Sequence, residues 1–265
     1  MYTRTLITLA LLAGATAAQA AVAVDTADFI YSQDFDTLAS TGSSNAWAND
    51  STLSGWSLFT GAGAAIASYR ADTGASNAGA FYSFGAASGS ERALGGVGSG
   101  GSYFGSPASG AVAGYIAVAF TNATGLALTG FTLGFDGEQW RNGGNTSAQG
   151  MVLSYGFGSS YGDVATWTAP GGAFDWASPV VGSTSGSVDG NGTGLVSGLG
   201  GTVATAWASG DTLWVRWTDV NDVGNDHGLA IDNLSFSVSA VPEASTTAML
   251  LAGLAAMGFV ARRRA

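Results

Sequence analysis

Cysteine and lysine are both absent from the 265 residues of this chain, and histidine occurs once, at His227. The lack of cysteine excludes disulfides and a cysteine nucleophile, and a single histidine is too few for the common zinc sites. Neither GxSxG nor HExxH occurs, so the motifs of serine hydrolases and zinc proteases are missing. We therefore expect a protein without enzymatic activity.

Positive charge is scarce in the body of the chain, between the two ends. Only Arg70, Arg92, Arg141 and Arg216 lie there, against seventeen acidic residues, which gives a net charge of −13. Nucleic-acid affinity comes mainly from neutralisation of phosphates by Lys and Arg, so this charge argues against nucleic acid as a partner. Calcium or neutral polysaccharide suits such a surface better.

The first twenty residues, MYTRTLITLALLAGATAAQA, have the pattern of a signal peptide. Arg4 supplies a positive charge, Leu6 to Ala18 is apolar, and Ala18-Gln19-Ala20 fits the small-x-small pattern of a cleavage site. The pattern predicts export, with residues 1–20 removed and a mature chain that starts near Ala21.

The opposite end of the chain combines an apolar stretch with a cluster of arginines. Residues 246–261 are uncharged and mostly apolar. As a helix they span roughly 24 Å, less than the ~30 Å hydrocarbon core of a bilayer. The helix can still cross if the arginines that follow extend to the interface and the bilayer thins. Arginines on this flank alone predict that it stays cytoplasmic, so we expect a transmembrane helix with the body outside.

A short motif precedes this helix, so that motif, helix and arginines occur in a fixed order: Val241, Pro242, Glu243 and Ser245, residues 246–261, then Arg262, Arg263 and Arg264. This order resembles the PEP-CTERM sorting signal of Gram-negative bacteria, although Ala244 replaces the second proline of that family. The resemblance implies processing by the membrane protease-transpeptidase exosortase. It also implies a transient inner-membrane anchor, followed by a location at the cell surface or outside the cell. A permanent tail anchor is the alternative.

The body, residues 21–240, reads as β-structure. Apolar residues alternate with a period of two in FTLGF, MVLSYGF, TLWVRW and LSFSV, and YIAVAF is apolar on both faces. Glycine-rich turns separate these runs, and the 42 glycines of the chain disfavour long helices. The pattern predicts one all-β domain, an antiparallel β-sandwich of jelly-roll type. Two glycine-rich stretches, 85–110 and 183–201, are predicted to be loops.

Three stretches of the body resemble a β-sandwich module common in bacterial PEP-CTERM proteins: YSFGAASGSERALGG, FDGEQWRNGG and LWVRWTDVNDVGNDHGLAIDNLSFSV. The resemblance implies a lectin-like or jelly-roll fold and carries no catalytic residues with it. The polar residues in these motifs form a candidate ligand site or a structural polar site: Glu138, Trp140, Arg141, Arg216 and His227. For Glu138, the simplest reading is a turn at Asp136-Gly137 with an ion pair to Arg141 or Arg216.

Acidic residues concentrate in DVNDVGNDHGLAIDN, near the end of the body. Such a cluster is consistent with oxygen ligands for calcium, although the spacing does not fit an EF-hand. Asp232 has the strand phase of Leu234, Phe236 and Val238, so it is expected to point inward and to need a neutralising partner. The candidate calcium ligands are Asp34, Asp219, Asp222, Asp226 and Asp232.

Together these observations predict an exported, surface-sorted β-sandwich protein that is a structural or binding component of an extracellular polysaccharide matrix. One alternative is a carbohydrate-binding lectin, in which exposed Trp140, Trp176 or Trp207 stacks on sugar rings. A second alternative is a glycoside hydrolase that uses Glu138, since such enzymes need a pair of carboxyl groups.

Overall fold

The computed structural model describes residues 21–240, and this part of the chain is almost entirely β-structure. Three single-turn 3-10 helices occur in it, at Ser102–Phe104, Tyr161–Asp163 and Gly172–Phe174. The strands, in chain order, are Val22–Val24 (β1), Ile30–Gln33 (β2), Asn45–Ala46 (β3), Trp56–Thr60 (β4), Ser68–Asp72 (β5), Ala80–Phe84 (β6), Ala93–Val97 (β7), Val112–Asn122 (β8), Leu128–Asn142 (β9), Val152–Phe157 (β10), Gly186–Ser187 (β11), Leu195–Trp207 (β12), Thr212–Val220 (β13) and Gly228–Ala240 (β14).

These strands form two sheets. In the smaller sheet β8 lies in the middle, with β1 and β4 along one edge and β13 followed by β10 along the other. In the larger sheet β9 and β14 are neighbours, and β11 and β12 pair with β9. Both β2 and β7 pair with β14, and β7 leads on to β6, β5 and β3. All pairings are antiparallel except β1 with β8 and β5 with β6. The predicted all-β, mainly antiparallel sandwich is therefore confirmed.

The core lies between the two sheets and is rich in aromatic side chains. Phe120 on β8 stacks on Phe236 on β14 with ring centroids 3.8 Å apart, and Trp217 on β13 meets Phe135 on β9 edge to face. The predicted alternation on β9, β10, β13 and β14 is confirmed, since one face of each strand contributes to this core. Aromatic rings add large buried areas, which offsets the weak contribution of the many glycines.

Each sheet also has a buried outer face. On the larger sheet Tyr82, Phe84 and Trp140 stack in a row, with alanines from β6, β7 and β14 beneath them. On the smaller sheet Trp214 packs with Tyr161, from the segment after β10. Strands buried on both faces explain why several runs in the sequence are apolar without a clean alternation.

Three of the sequence-based expectations about loops and turns are wrong. The glycine-rich stretch 85–110 contains β7, which is fully buried in the middle of the larger sheet, and the stretch 183–201 contains β11 and the start of β12. Asp136-Gly137 is not a turn either, because both residues lie within β9. Glycine-rich sequence usually indicates a loop, but the glycines of β7 allow neighbouring strands to pack closely against this one.

The predicted signal peptide (1–20), the sorting motif and the predicted transmembrane helix (246–261) lie outside the described residues. Within residues 21–240, the helices are all too short to span a bilayer.

Gly95 tests the close packing around β7. A Cβ atom at Gly95 would lie 2.0 Å from the carbonyl oxygen of Leu229 and 2.5 Å from the Cβ of Ala230. The carbonyl oxygen of Leu229 belongs to the backbone of β14 and cannot rotate away from the added Cβ. We therefore expect Gly95→Ala to lower the free energy of unfolding by about 3 kcal/mol, at the upper end of overpacking costs. Gly186→Ala, in β11 of the same sheet with no atom within 4 Å of its added Cβ, is the matched control. Urea unfolding measures both, and equal stability of the two variants would contradict this packing.

Candidate metal centre

Three carboxyl groups meet on the outer face of the larger sheet: those of Glu91, Glu138 and Asp232. One oxygen of each group lies within 4.8 Å of the others. Among the described residues, these three form the one group of possible metal ligands that lie this close together. Two oxygens bound to the same Ca²⁺ at 2.3–2.6 Å lie at most about 5 Å apart. The separation therefore suits a single ion held between the three groups.

Strand pairing places these groups side by side. Glu138 on β9 is opposite Ala230 on β14, and Asp232 lies two residues further along β14 on the same face. Glu91 comes two residues before the first residue of β7, the neighbour of β14 on its other side. Residues two apart in a strand share a face, so Asp232 lies on the same face as Ala230 and its partner Glu138. The segment before β7 brings Glu91 to the same point.

A β-bulge in β14 decides the face on which Asp232 lies. Asp232 pairs with Asp136, but Ser235 pairs with Gly134, so β14 has one more residue than β9 at this point. Asn233 lies there with φ 51°, in the left-handed region. The bulge breaks the alternation, because Ile231 and Leu234 both face the central core while Asp232 is buried on the outer face. The predicted burial of Asp232 is confirmed, and its predicted phase with Leu234 is wrong.

Asp136, next to this cluster, has both carboxylate oxygens engaged in holding bulges. Its Oδ1 accepts a hydrogen bond from the backbone N–H of Gly198 (2.8 Å), and its Oδ2 accepts one from Nδ2 of Asn233 (3.1 Å). Gly198 lies in a bulge of β12, on the other side of β9. Asp136 therefore fixes the strand geometry on both sides of the cluster and belongs to its support.

The three carboxylates are short of partners. Glu138 and Asp232 are 0% and 2% exposed, and Oε1 of Glu91, Oε1 of Glu138 and Oδ1 of Asp232 are buried without a hydrogen bond. A buried charge is costly unless it is paired or coordinates a metal. Three carboxyl groups that meet at one point, each with such an unpartnered oxygen, therefore favour a bound cation.

Burial and mutual repulsion raise the pKa values of two of these groups. Burial raises the pKa of Glu138 to about 7, and the negative charges of Glu91, Asp136 and Asp189 act in the same direction. Burial raises the pKa of Asp232 to about 8, with further contributions from Glu138, Glu91 and Asp36. Both groups would hold protons near neutral pH, so a cation that binds here competes with protons.

The remaining oxygens are held by neighbouring side chains. Nε1 of Trp140 donates to Oε2 of Glu138 (2.7 Å), and Nδ2 of Asn191, in the loop between β11 and β12, donates to Oε2 of Glu91 (2.5 Å). These contacts occupy Oε2 of each glutamate and leave Oε1 of each without a hydrogen bond. Hydrogen bonds of this kind to metal ligands keep the ligands in position for a metal.

The donor set selects the kind of metal. All three groups are carboxylates, which are hard oxygen ligands that suit Ca²⁺, Mg²⁺ or Mn²⁺ rather than the softer metals. Ca²⁺ accepts irregular geometry and a higher coordination number than Mg²⁺, so mono- or bidentate carboxylates at these separations fit it best. We therefore take the cluster of Glu91, Glu138 and Asp232 as a candidate calcium centre.

The structure divides the five predicted calcium ligands between separate places. Asp232 lies in the cluster just described. Asp34 is exposed and accepts a hydrogen bond from the backbone of Asp36, and it is not among the charges that act on Asp232. Asp219, Asp222 and Asp226 form a second acidic group: Asp219 is buried with Oδ2 unpartnered, and burial followed by the charges of Asp226 and Asp222 raises its pKa. A calcium role for this second group stays a prediction.

The other predicted polar residues have structural partners. Arg141 donates through one terminal nitrogen to the carbonyl oxygens of Gly74 and Ala75. Arg216 lies on the outer face of the smaller sheet, where its guanidinium stacks over the rings of Tyr115 and Trp167. Neither forms the ion pair with Glu138 that the sequence suggested, since the partner of Glu138 is Trp140.

His227 is buried and linked to backbone on both ring nitrogens. Its Nδ1 accepts a hydrogen bond from the N–H of Gly143 (2.9 Å), and its Nε2 lies 3.2 Å from the carbonyl oxygen of Ser147. Burial lowers its pKa. This arrangement fits a neutral ring that donates through Nε2, and it ties the segment after β9 to the start of β14.

Glu91 is the member of the cluster that sequence reasoning missed. It lies in SGSERALGG, within the glycine-rich stretch 85–110 that is predicted to be a loop, and no alternating pattern marks it. The one usable signal was an acidic residue directly before a short apolar run, which is too common to identify a ligand.

Calcium should stabilise the body in a pH-dependent manner. The folded pKa values of Glu138 and Asp232, about 7 and about 8, lie above the values of 4.5 and 3.8 for free side chains. The folded chain then keeps protons that the unfolded chain has released, so without a cation stability is highest below about pH 4 and falls as pH rises to about 8. Calcium removes this loss. In thermal melts at pH 8, a hundredfold excess over the dissociation constant should raise the Tm by about 5–10 °C. At pH 5 the rise should be much smaller, and equal rises at both values would contradict the site.

Removal of one carboxylate should stabilise the protein in chelator and destabilise it in calcium, relative to the wild type. In chelator at pH 8, Glu138→Gln and Asp232→Asn should melt higher than the wild type, because each relieves repulsion between buried charges. In calcium both should melt lower than the wild type, because a ligand is lost. Asp28→Asn, at an exposed position in the turn before β2, is the control and should follow the wild type in both conditions. Variants that are destabilised equally with and without calcium would indicate a purely structural role.

Comparison with known proteins bears on the C-terminal end. Residues 240–264 match the PEP-CTERM protein-sorting motif, whereas no curated protein and no solved structure matches the chain. The lectin-like character suggested for the body therefore stays a prediction. The matched segment includes the predicted motif and the arginine cluster, so the sorting prediction is confirmed. The chain ends in a PEP-CTERM sorting signal, which marks an exported protein that passes through a membrane-anchored intermediate, is processed by exosortase and reaches the cell surface or the extracellular space.

Proposed function

We propose that the protein is a calcium-stabilised β-sandwich module that acts without catalysis as a structural or binding component of the extracellular polysaccharide matrix. The observation that carries this proposal is the convergence of Glu91, Glu138 and Asp232, with three buried oxygens that lack hydrogen bonds. Calcium sites of extracellular modules bind with dissociation constants of about 10⁻⁴–10⁻³ M. A surface-sorted chain without disulfides gains from such an ion the stabilisation that cross-links give to other exported proteins.

Association with polysaccharide is supported by the destination and the charge of the protein. Its sorting signal directs it to the surface, and a body with a net charge of −13 disfavours polyanionic partners. Neutral polysaccharide meets no such repulsion. This leaves matrix polysaccharide as the partner that best fits both observations.

A lectin that stacks sugars on Trp140, Trp176 or Trp207 fits the structure less well. These side chains are 3%, 9% and 0% exposed, so their ring faces are taken up by packing within the protein. A lectin function would have to rely on polar groups instead of these rings.

A glycoside hydrolase that uses Glu138 is the second alternative. The raised pKa of Glu138 and the nearby Asp232 give the pair of carboxyl groups that such chemistry needs. However, Glu138 is 0% exposed and hydrogen-bonded to Trp140, so a polymer cannot reach it without rearrangement of the residues that cover it. Turnover of a matrix polysaccharide that is abolished by Glu138→Gln would support the hydrolase over our proposal.

The sorting signal gives a prediction about mass. We expect the protein recovered from the cell surface or medium of the native host to end near Glu243, because exosortase is expected to cut at the motif that begins at Val241. Intact-mass spectrometry measures this directly. A surface protein that still contains the arginines at 262–264 would contradict processing and favour a permanent tail anchor.

Matrix association gives a second prediction. Protein purified from the native host should sediment with isolated matrix polysaccharide in millimolar calcium and should remain in the supernatant in chelator, where the module is less stable. Asp232→Asn should sediment less than the wild type in calcium, with Asp28→Asn as the matched control. Protein that stays in solution with calcium present would contradict matrix association.

A further inference from the structure

A second feature of the body is a polar cavity of about 230 Å³, formed where loops from both sheets meet. Asn77 precedes β6, Ser99 follows β7, Ser185 precedes β11, and Asn225 lies between β13 and β14. Among the residues that line the cavity, Val97 is the one with an apolar side chain, and three others are glycines. The polar side chains around it are Asn77, Ser99, Arg141, Ser185, Asn225 and Asp226.

Arg141 contributes the one positively charged side chain among the residues that line this cavity. Its side chain is only 8% exposed, and one terminal nitrogen is bound by the carbonyl oxygens of Gly74 and Ala75 at 3.0 and 2.9 Å. Its Nε atom is buried and has no hydrogen-bond partner. The hydrogen bonds to Gly74 and Ala75 hold the guanidinium in place, so its positive charge stays at the cavity wall and favours ligand oxygens there.

The loop that carries Asn225 and Asp226 is held by its backbone. The carbonyl oxygen of Asn225 accepts hydrogen bonds from Asn145 and Gln149, both at 2.9 Å. Oδ1 of Asp226 accepts one from the backbone N–H of Asp222 at 2.6 Å. These bonds fix the loop without using the side-chain amide of Asn225, so the cavity wall is pre-formed and retains free polar groups.

The mixture of groups selects the chemistry of the ligand. Amides and hydroxyls both donate and accept, Arg141 donates, and Asp226 accepts, which matches the paired donor and acceptor character of sugar hydroxyls. An anionic ligand would face Asp226 and the net charge of −13, and a cation would face Arg141. The volume is below the about 300–1,000 Å³ of pockets for drug-sized ligands, so the space suits a single ring.

We propose that this cavity binds one neutral sugar residue of a polysaccharide, through Arg141, Asn77, Asn225 and Asp226. The proposal rests on the proposed association with matrix polysaccharide and names the contact for it. It places carbohydrate recognition on polar side chains at the loops, away from the buried tryptophans.

Titration of the purified, secreted protein with methyl glycosides of glucose, mannose and galactose tests this proposal, with methyl glucuronide as the charged comparison. Saturation-transfer NMR detects weak binding, and calorimetry gives the dissociation constant. At least one neutral glycoside should bind, and it should bind better than the glucuronide. Asn77→Ala, at an exposed position where the fold tolerates change, should weaken binding about tenfold, equivalent to about 1.4 kcal/mol. Arg141→Gln should weaken it further.

Ser209→Ala, in the exposed turn before β13, is the control and should bind as the wild type does. Absence of binding to all three neutral glycosides, or equal binding by wild type and Asn77→Ala, would overturn the cavity proposal. Sedimentation with matrix polysaccharide separates this failure from that of the proposed function. If wild type and both cavity variants sediment equally in calcium, matrix association holds and the cavity is not its contact.

Discussion

The repulsion between three clustered carboxylates, two of them on fully buried side chains, is the constraint that most affects the described structure. Glu91, Glu138 and Asp232 belong to segments on three adjacent strands of the larger sheet, so the cluster can form only when β9, β14 and β7 are correctly aligned. A cation between them converts this repulsion into attraction and joins the three strands at one point. Protonation of Glu138 and Asp232 is the alternative, and it relieves the repulsion without joining all three segments through one ion.

The β-bulges next to this cluster show how backbone irregularity serves the site. Asn233 shifts Asp232 to the outer face, and the carboxylate of Asp136 holds both this bulge and the one at Gly198. A third bulge, at Trp140, lies where Gln139 and Arg141 pair with consecutive residues of β14. It lets the indole of Trp140 reach back to Glu138 while Arg141 lines the polar cavity. Strand β9 thus contributes Glu138 to the candidate metal centre and Arg141 to the cavity, on the two sides of this bulge.

Much of the fold could be predicted from sequence because the central strands alternate cleanly. The apolar faces of β9, β10, β13 and β14 followed the period of two that was read from the sequence. The strand β7 could not be predicted in this way, since ALGGV contains two glycines and both of its faces are buried. A glycine in a strand contributes nothing to the alternation of apolar and polar residues. Gly95 is nevertheless tightly packed, since a Cβ at this position would overlap with β14. Because β7 shows no alternation, nothing in the sequence marks Glu91, two residues before it, as part of a site.

The candidate site was only partly accessible from sequence. The strand pattern indicates that Asp232 is buried, but the co-ligands predicted for it are Asp34, Asp219, Asp222 and Asp226, and none of these lies in the cluster with Glu91 and Glu138. Glu138 was assigned to a turn and an ion pair, because register between β9 and β14 cannot be read from either strand alone. The bulge at Asn233 shifts the register by one residue, and a shift of one residue changes the face on which a side chain lies.

The most direct test of this account is to locate calcium by anomalous diffraction from crystals of the secreted protein grown with calcium. The account predicts an anomalous peak about 2.3–2.6 Å from carboxylate oxygens of Glu91, Glu138 and Asp232. A peak found instead among Asp219, Asp222 and Asp226, or no peak at either group, would contradict the central claim.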